Sequence, residues 1–295
     1  MIISIVGHTA IDYLFEVDKL PGPNASAPIV DYHEYHGGGA ANIAAGIAKL
    51  GGVSQLISPV GADFKNSEYE KYLQHLGVDL DLLYNLSGEK TAKAFIYTDS
   101  AHNQTSFFYW GASARFPKLD APKLDFVHLA TGDSVFNANI AQKAQWVSFD
   151  PGQDLVTYNQ KNLTTILEHT NILFTNRHEI SRVSDISKIS FEELLNLIDV
   201  IVVTQDSKGS IIYENGIESF VSAIKVDAVD PTGAGDAYRA GFLLAYTKKY
   251  PLTVCGQIGS TTASFVVERV GCQTNLPTWE MMRERHNAFY DETIK

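Results

Sequence analysis

Cysteine is scarce: Cys255 and Cys272 are the only two in 295 residues. Two thiols build neither a disulfide framework nor a cysteine zinc centre, and a reducing compartment is expected. Basic charge is short as well, with 23 Lys and Arg against 34 Asp and Glu and a formal net charge of -11. That balance makes nucleic acid a poor partner, although a local nest of backbone N–H groups can still hold one small anion. No apolar run approaches the ~18 residues of a membrane span. The start, MIISIVGHTA, has neither the basic head nor the long apolar stretch of a signal peptide. It reads as a buried strand in a cytoplasmic protein, which leaves the glycosylation sequons at Asn24, Asn85, Asn103 and Asn162 incidental. Repeats, low-complexity tracts and Pro/Gly-rich linkers are missing. So are the P-loop pattern G-x-x-x-x-G-K-[ST] and the protein-kinase signatures. The dinucleotide fingerprint fails because Asn42 stands where its third glycine belongs, which disfavours a Rossmann oxidoreductase.

What is present suits a sizeable core: 45% hydrophobic and 19% charged residues. Ile2–Val6, Leu56–Val60, Phe126–Ala130, Trp146–Phe149, Ile172–Thr175 and Val200–Thr204 are near-continuous apolar runs of strand length. Helical patterns lie between several of them. Ser190 and Glu193 match a capping box, followed by Phe191, Leu194, Leu195 and Ile198 at helical spacing. Strands alternating with helices predict an α/β fold with a mostly parallel sheet covered on both faces. Residues 13–35 and 93–110 break the alternation. Lys93–Thr98 and Ser106–Trp110 flank a polar turn, Asp99–Thr105, and predict a hairpin. A small β lid over one end of a single 1–295 domain is expected, of the kind that keeps water from a phosphoryl-transfer site.

Two segments carry chemistry. Asp230-Pro231-Thr232-Gly233-Ala234-Gly235-Asp236 opens a helix whose face Ala237, Ala240, Gly241, Leu244, Ala245 is mostly small, which predicts close packing. The first amides of a helix lack internal partners and carry partial positive charge, so Gly233-Ala234-Gly235 can form an anion hole. Asp236 beside it fits either a helix cap or a base that takes a proton from an attacking hydroxyl. Gly37-Gly38-Gly39-Ala40-Ala41-Asn42 opens a second helix, with Ile43, Ile47 and Leu50 on one face and Gly51 as C-cap. Asn42 has donor and acceptor atoms suited to sugar hydroxyls, and equally suited to capping its own helix.

Together the two segments resemble the paired signatures of the ribokinase, or pfkB carbohydrate kinase, family, in its order and spacing and over nearly the whole chain. Gly7-His8-Thr9-Ala10-Ile11-Asp12-Tyr13, Asp63–Ser67, Ala130–Asp133, Phe149–Asp154 and Gly271–Pro277 are similar to archaeal nucleoside kinases within it. The resemblance implies a three-layer α/β/α sandwich with about eight or more strands, transfer of the ATP γ-phosphate to a nucleoside 5′-hydroxyl, and a homodimer through the lid. It makes Asp236 the base and the Gly233, Ala234 and Gly235 amides the hole. Asp12, at the end of the first strand, and Gly38, Gly39 and Asn42 would bind the sugar. Asn176 and Glu179 would hold the Mg²⁺–phosphate water network, Thr204 and Gly209 the nucleotide, and Asp230 and Thr232 a monovalent cation such as K⁺. Two positions depart from the family. Pro231 stiffens its loop, and Asp206 puts a carboxylate near the expected phosphates where a turn glycine is usual.

On the lid, alternation separates Phe107 and Tyr109 from Phe108 and Trp110. Phe108 could stack on a base, or the rings could pack the lid or a partner chain. Gln104 at the hairpin tip could hydrogen-bond a base. His33 and His36 are expected to be exposed lid residues, two histidines being too few for a metal site. The rival expectations are a pfkB sugar kinase acting on ribose or fructose, and a non-catalytic ligand-binding protein on a kinase scaffold. A phosphorylated acceptor would want more basic residues in the lid than Lys19 and Lys93.

Overall fold

The computed structural model describes residues 1–101, 103–290 and 293–294. His102, inside the expected hairpin turn, lies outside them. The strands are β1 (Ile2–Val6), β2 (Ala10–Val17), β3 (Ile29–Gly37), β4 (Val53–Ile57), β5 (Pro59–Gly61), β6 (Tyr84–Leu86), β7 (Ala92–Asp99), β8 (Gln104–Tyr109), β9 (Phe126–Leu129), β10 (Trp146–Phe149), β11 (Ile172–Asn176), β12 (Val200–Thr204), β13 (Gly209–Glu214) and β14 (Ile217–Ser222). The helices are α1 (Gly39–Lys49), α2 (Glu68–Leu76), α3 (Ser134–Ala141), α4 (Gln160–Leu167), α5 (Glu179–Ser187), α6 (Phe191–Leu197), α7 (Ala234–Thr247), α8 (Leu252–Val266) and α9 (Trp279–Tyr290).

The apolar runs form an eight-stranded sheet in the order β14-β13-β12-β11-β10-β9-β1-β4, parallel from β12 to β4, with β13 and β14 antiparallel at one edge. Side chains alternate between its faces. Ile3, Ile5, Phe174 and Val202 pack with α1, α7 and α8, while Leu173, Ile201 and Val203 pack with α3 to α6. Helices on both faces complete a three-layer sandwich. The ends are marked where the sequence marks them. Ser67 Oγ caps α2, the Asp133 carboxylate caps α3, and Ser190 with Glu193 forms the capping box of α6.

Three expectations shift. The run 56–60 is not one strand: β4 ends at Ile57, and β5 restarts at Pro59 to pair with β6 in a separate two-stranded sheet. Proline has no N–H for the next rung of the ladder, which explains the break. Leu50, not Gly51, is the C-cap of α1, and Gly51 follows it in the left-handed region at φ 81°. β1 stops at Val6, so Asp12 sits in β2 and not at the end of the first strand.

β2 belongs to a second, four-stranded sheet ordered β3-β2-β7-β8, in which β2 runs parallel to β7 and antiparallel to β3. The expected hairpin is β7–β8, with Thr98 opposite Gln104. His33 is exposed, but His36 stacks on Tyr69 with ring centres 4.1 Å apart and is half-buried. Among the described residues no helix is long and apolar enough to cross a membrane.

Candidate active site

From β1 and β9 the sheet grows in opposite directions, towards β4 on one side and β10 on the other. In open α/β sheets a crevice forms outside the carboxyl ends of the strands at such a reversal. A cavity of about 1160 Å³ opens there, between the small sheet and the start of α7. Thr131, Asp150, Asn176 and Thr204, each at or just past the end of a parallel strand, line it.

Asp236 is the third residue of α7 and faces this cavity. Gly233 caps the helix at φ 79°, and a Cβ there would lie 2.7 Å from that of Cys272, so the turn needs glycine twice over. No side chain caps α7. Asp236 Oδ2 instead accepts from Asn42 Nδ2 at 2.8 Å, and Oδ1 lies 4.0 Å from Arg239 Nη1. Burial pushes the Asp236 carboxyl up, against the pull of Arg239 and of the Asn42 hydrogen bond. Arg239 is itself held by buried Asp150, Nε to Oδ2 at 2.7 Å. The amides of Gly233 and Gly235 start the helix, but that of Ala234 donates to the Pro231 carbonyl at 3.2 Å and is committed to the turn.

On the small-sheet side, Asp12, Gly38, Gly39, Asn42 and Phe108 all line the cavity. Gly38 sits at φ 91°, and a Cβ there would lie 2.5 Å from the His8 carbonyl. Burial, then repulsion from Asp236 and Asp230, pushes the Asp12 carboxyl up to about 7. Asn42 is committed at both ends, because its Oδ1 accepts from Gln273 Nε2 at 2.7 Å while its Nδ2 serves Asp236. Phe108 and Trp110 lie against His8, with ring centres at 5.6 and 5.3 Å. Asp154 Oδ2 fixes His8 Nε2 at 2.7 Å, and Ser113 Oγ reaches Nδ1 at 3.0 Å. Gln104 does not join this group: it is exposed, its Nε2 donates to Thr98 Oγ1, and it is not among the lining residues.

At the other end lie Asn176, Glu179, Thr204 and Gly209. Asn176 Oδ1 accepts from the amides of His178 and Glu179, and Glu179 Oε2 accepts from the Asn176 amide, all at 2.9 Å. The motif thus fastens the start of α5 to the end of β11. Asp206, in the left-handed region at φ 52°, pairs with Arg177 at 3.1 Å, which offsets part of its charge beside the cavity. Ile224, Val226, Ala263 and Val267 supply an apolar wall. Asp230 Oδ1 accepts from the Thr232 amide at 2.9 Å and Oδ2 from the Gly271 amide at 3.2 Å, bracing two loops.

His8, Asp154 and Gln273 lie within segments that carry the family resemblance, but neither they nor Arg239 are given a role by it. Arg239 had a usable signal, since it lies one helical turn after Asp236 on the same face. The others meet their partners only through the tertiary fold.

The family profile described as pfkB family carbohydrate kinase matches residues 3–279. A nucleoside kinase of Methanocaldococcus jannaschii is 51% identical over 289 residues, covering 96% of each chain. A nucleoside kinase of Methanothermobacter thermautotrophicus is 43% identical over 282 residues, covering 92% of this chain and 91% of that one. The crystal structure of the M. jannaschii nucleoside kinase, an archaeal member of the ribokinase family, superposes with a TM-score of 0.93 at 49% identity, covering 97% of this chain and 98% of that one. With both signature segments meeting at one cavity, the chain belongs to the pfkB family of carbohydrate kinases.

Proposed function

We propose that the protein transfers the γ-phosphoryl group of ATP to the 5′-hydroxyl of a nucleoside, with Asp236 taking the hydroxyl proton. The observation that carries this is the placement of Asp236. Its carboxylate faces a single cavity that has Asp12 and the Gly38–Asn42 turn on one side and Asn176, Thr204 and Gly209 on the other. An acceptor alcohol held by the first group and a triphosphate held by the second would meet at the start of α7. The helix amides there stabilise charge as it develops on the moving phosphoryl group. Arg239 lends further positive charge, and Asn42 keeps one carboxylate oxygen aimed.

Asp12 would accept from ribose hydroxyls, and Phe108, Trp110 and His8 would form the aromatic wall for the base. The apolar wall of Ile224, Val226, Ala263 and Val267 suits adenine. We read the small sheet as the lid. Relatives that are nucleoside kinases at 51% and 43% identity favour a nucleoside over a free sugar.

Mg²⁺ would neutralise and bridge the ATP phosphates. Glu179 faces the cavity with Oε2 already accepting from the Asn176 amide, which leaves Oε1 for a contact through the metal's water shell. Each oxygen of Asp230 keeps a lone pair beyond its amide bond, so Asp230 and Thr232 admit a K⁺-like ion without supplying a full coordination shell.

The rings of Tyr13, Phe15, Phe95 and Tyr97 stack along the other face of the lid, beside Tyr32, which is 60% exposed. We assign this face to a contact between two copies of the chain. Free, buried Cys255 and Cys272 suit the reducing cytoplasm, where ATP is available.

The test is ADP release by purified protein with Mg²⁺-ATP and a panel of nucleosides and sugars. Turnover with nucleosides and little with ribose or fructose is expected. Turnover with a free sugar alone would move the assignment to the sugar kinases, and none with any acceptor would favour a binding protein.

A further inference from the structure

We infer that Gln273 is a positioning residue for phosphoryl transfer, setting through Asn42 the orientation in which the Asp236 carboxylate faces the acceptor. This rests on the assignment of Asp236 as the base. Gln273 follows α8 in sequence, is 6% exposed and lies outside the lining of the catalytic cavity, so it acts on the reaction only through other side chains.

The donors and acceptors fix the arrangement. An ionised carboxylate can only accept, so Asn42 must turn its Nδ2 to Asp236 Oδ2, at 2.8 Å. Its Oδ1 then faces away and needs a donor. Gln273 Nε2 supplies one hydrogen to that oxygen at 2.7 Å. The second hydrogen goes to the Tyr69 hydroxyl oxygen at 2.7 Å, and Tyr69 donates its own proton to the Gly37 carbonyl at 2.8 Å. Turning the Gln273 amide over would set Oε1 against Asn42 Oδ1, two acceptors face to face. The structure holds the other orientation although Gln273 Oε1 then has no hydrogen-bond partner among the described residues.

Without that donor, Asn42 Oδ1 loses its brace and the side chain is held by Asp236 alone. A loosened Asn42 hydrogen-bonds the charged carboxylate less well, and the pKa of Asp236 would rise. Among charged groups, Arg239 on its own helix pulls on Asp236, while Asp12 on β2, Asp150 after β10 and Cys272 after α8 feel the Asp236 charge. None of them replaces an aimed N–H from α1.

Gln273→Met keeps length and packing but removes the donor. We expect kcat to fall about 10-fold, nucleoside Kd to stay within about 3-fold, and the acid limb of the kcat–pH profile to move up by about 1 pH unit. Tyr69→Phe breaks the same network on the far side of Gln273, and its acid limb should stay in place. Gln273→Glu cannot donate to Asn42 when ionised, so it should shift the limb as Gln273→Met does; it serves as the second variant if Gln273→Met does not fold. A wild-type acid limb in the folded Gln273 variants overturns the inference, and so does an equal shift in Tyr69→Phe, which would mean general loosening. Near-normal turnover by Asp236→Asn would instead sink the base assignment, so the two failures are distinguishable.

Discussion

Asp12 and Asp236 face the same cavity, and burial, with repulsion from Asp236 and Asp230, raises the Asp12 carboxyl. Its carboxyl stands near 7, against 3.8 for an ordinary aspartate. Between those two pH values the folded chain holds a proton that the unfolded chain has released, so stability falls as pH rises through the window. Asp12→Asn removes this penalty. Its melting temperature should match wild type near pH 4 and exceed it at pH 8 by roughly 2–4 °C, while nucleoside affinity drops. Equal shifts at both pH values, read by calorimetry, would contradict the placement of Asp12. At this scale the motifs show Asp236, Gly38 and Asn42, because glycines that permit close approach beside a helix start leave a local pattern. Gln273 leaves none: its partner Asn42 is 231 positions away, and no spacing rule reports a hydrogen bond between side chains so far apart in sequence. Asn42 shows a subtler gap. Its donor and acceptor atoms suit a sugar, yet one N–H and one lone pair are already used by protein.

Elements explain why those residues meet. The small face of α7 was legible as a packing face, but its partners were not. Gly241 lies against α8, where an added Cβ would come within 2.5 Å of Thr262 Oγ1. On the other side Ala240 abuts Gly46 of α1, and a Cβ on Gly46 would lie 2.8 Å from the Ala240 Cβ. That contact sets the separation of the two helices that carry Asn42 and Asp236, one turn before it on each. Gly46→Val should therefore destabilise the protein by about 1–3 kcal/mol through overpacking. It should also lower kcat more than it raises KM, since the helices must part at the site that aims the base. Unchanged kcat in a destabilised variant would separate the packing from the chemistry. The break at Ser58 shows the converse. The apolar run reads as one strand because hydrophobicity continues across it, while the missing N–H of Pro59 ends the pairing with β1.

In the whole molecule the parallel sheet and its helices were written in the alternation of apolar runs, and the second sheet in the two stretches that lacked helices. Their relation was not: which strand ends share a cavity depends on strand order, here reversed between β1 and β9. The outer aromatic face of the small sheet makes a prediction of its own. The protein should run at twice its 32.5 kDa chain mass by light scattering, and the double variant Phe15→Glu, Tyr32→Glu at the single mass. A wild-type monomer would reject that contact. For the chemistry, the decisive measurement is ADP release by Asp236→Asn beside wild type, at saturating Mg²⁺-ATP and nucleoside. A fall in kcat of roughly 10²–10⁴-fold with nucleoside Kd nearly unchanged is expected of a lost general base, and turnover within a few-fold of wild type would contradict it.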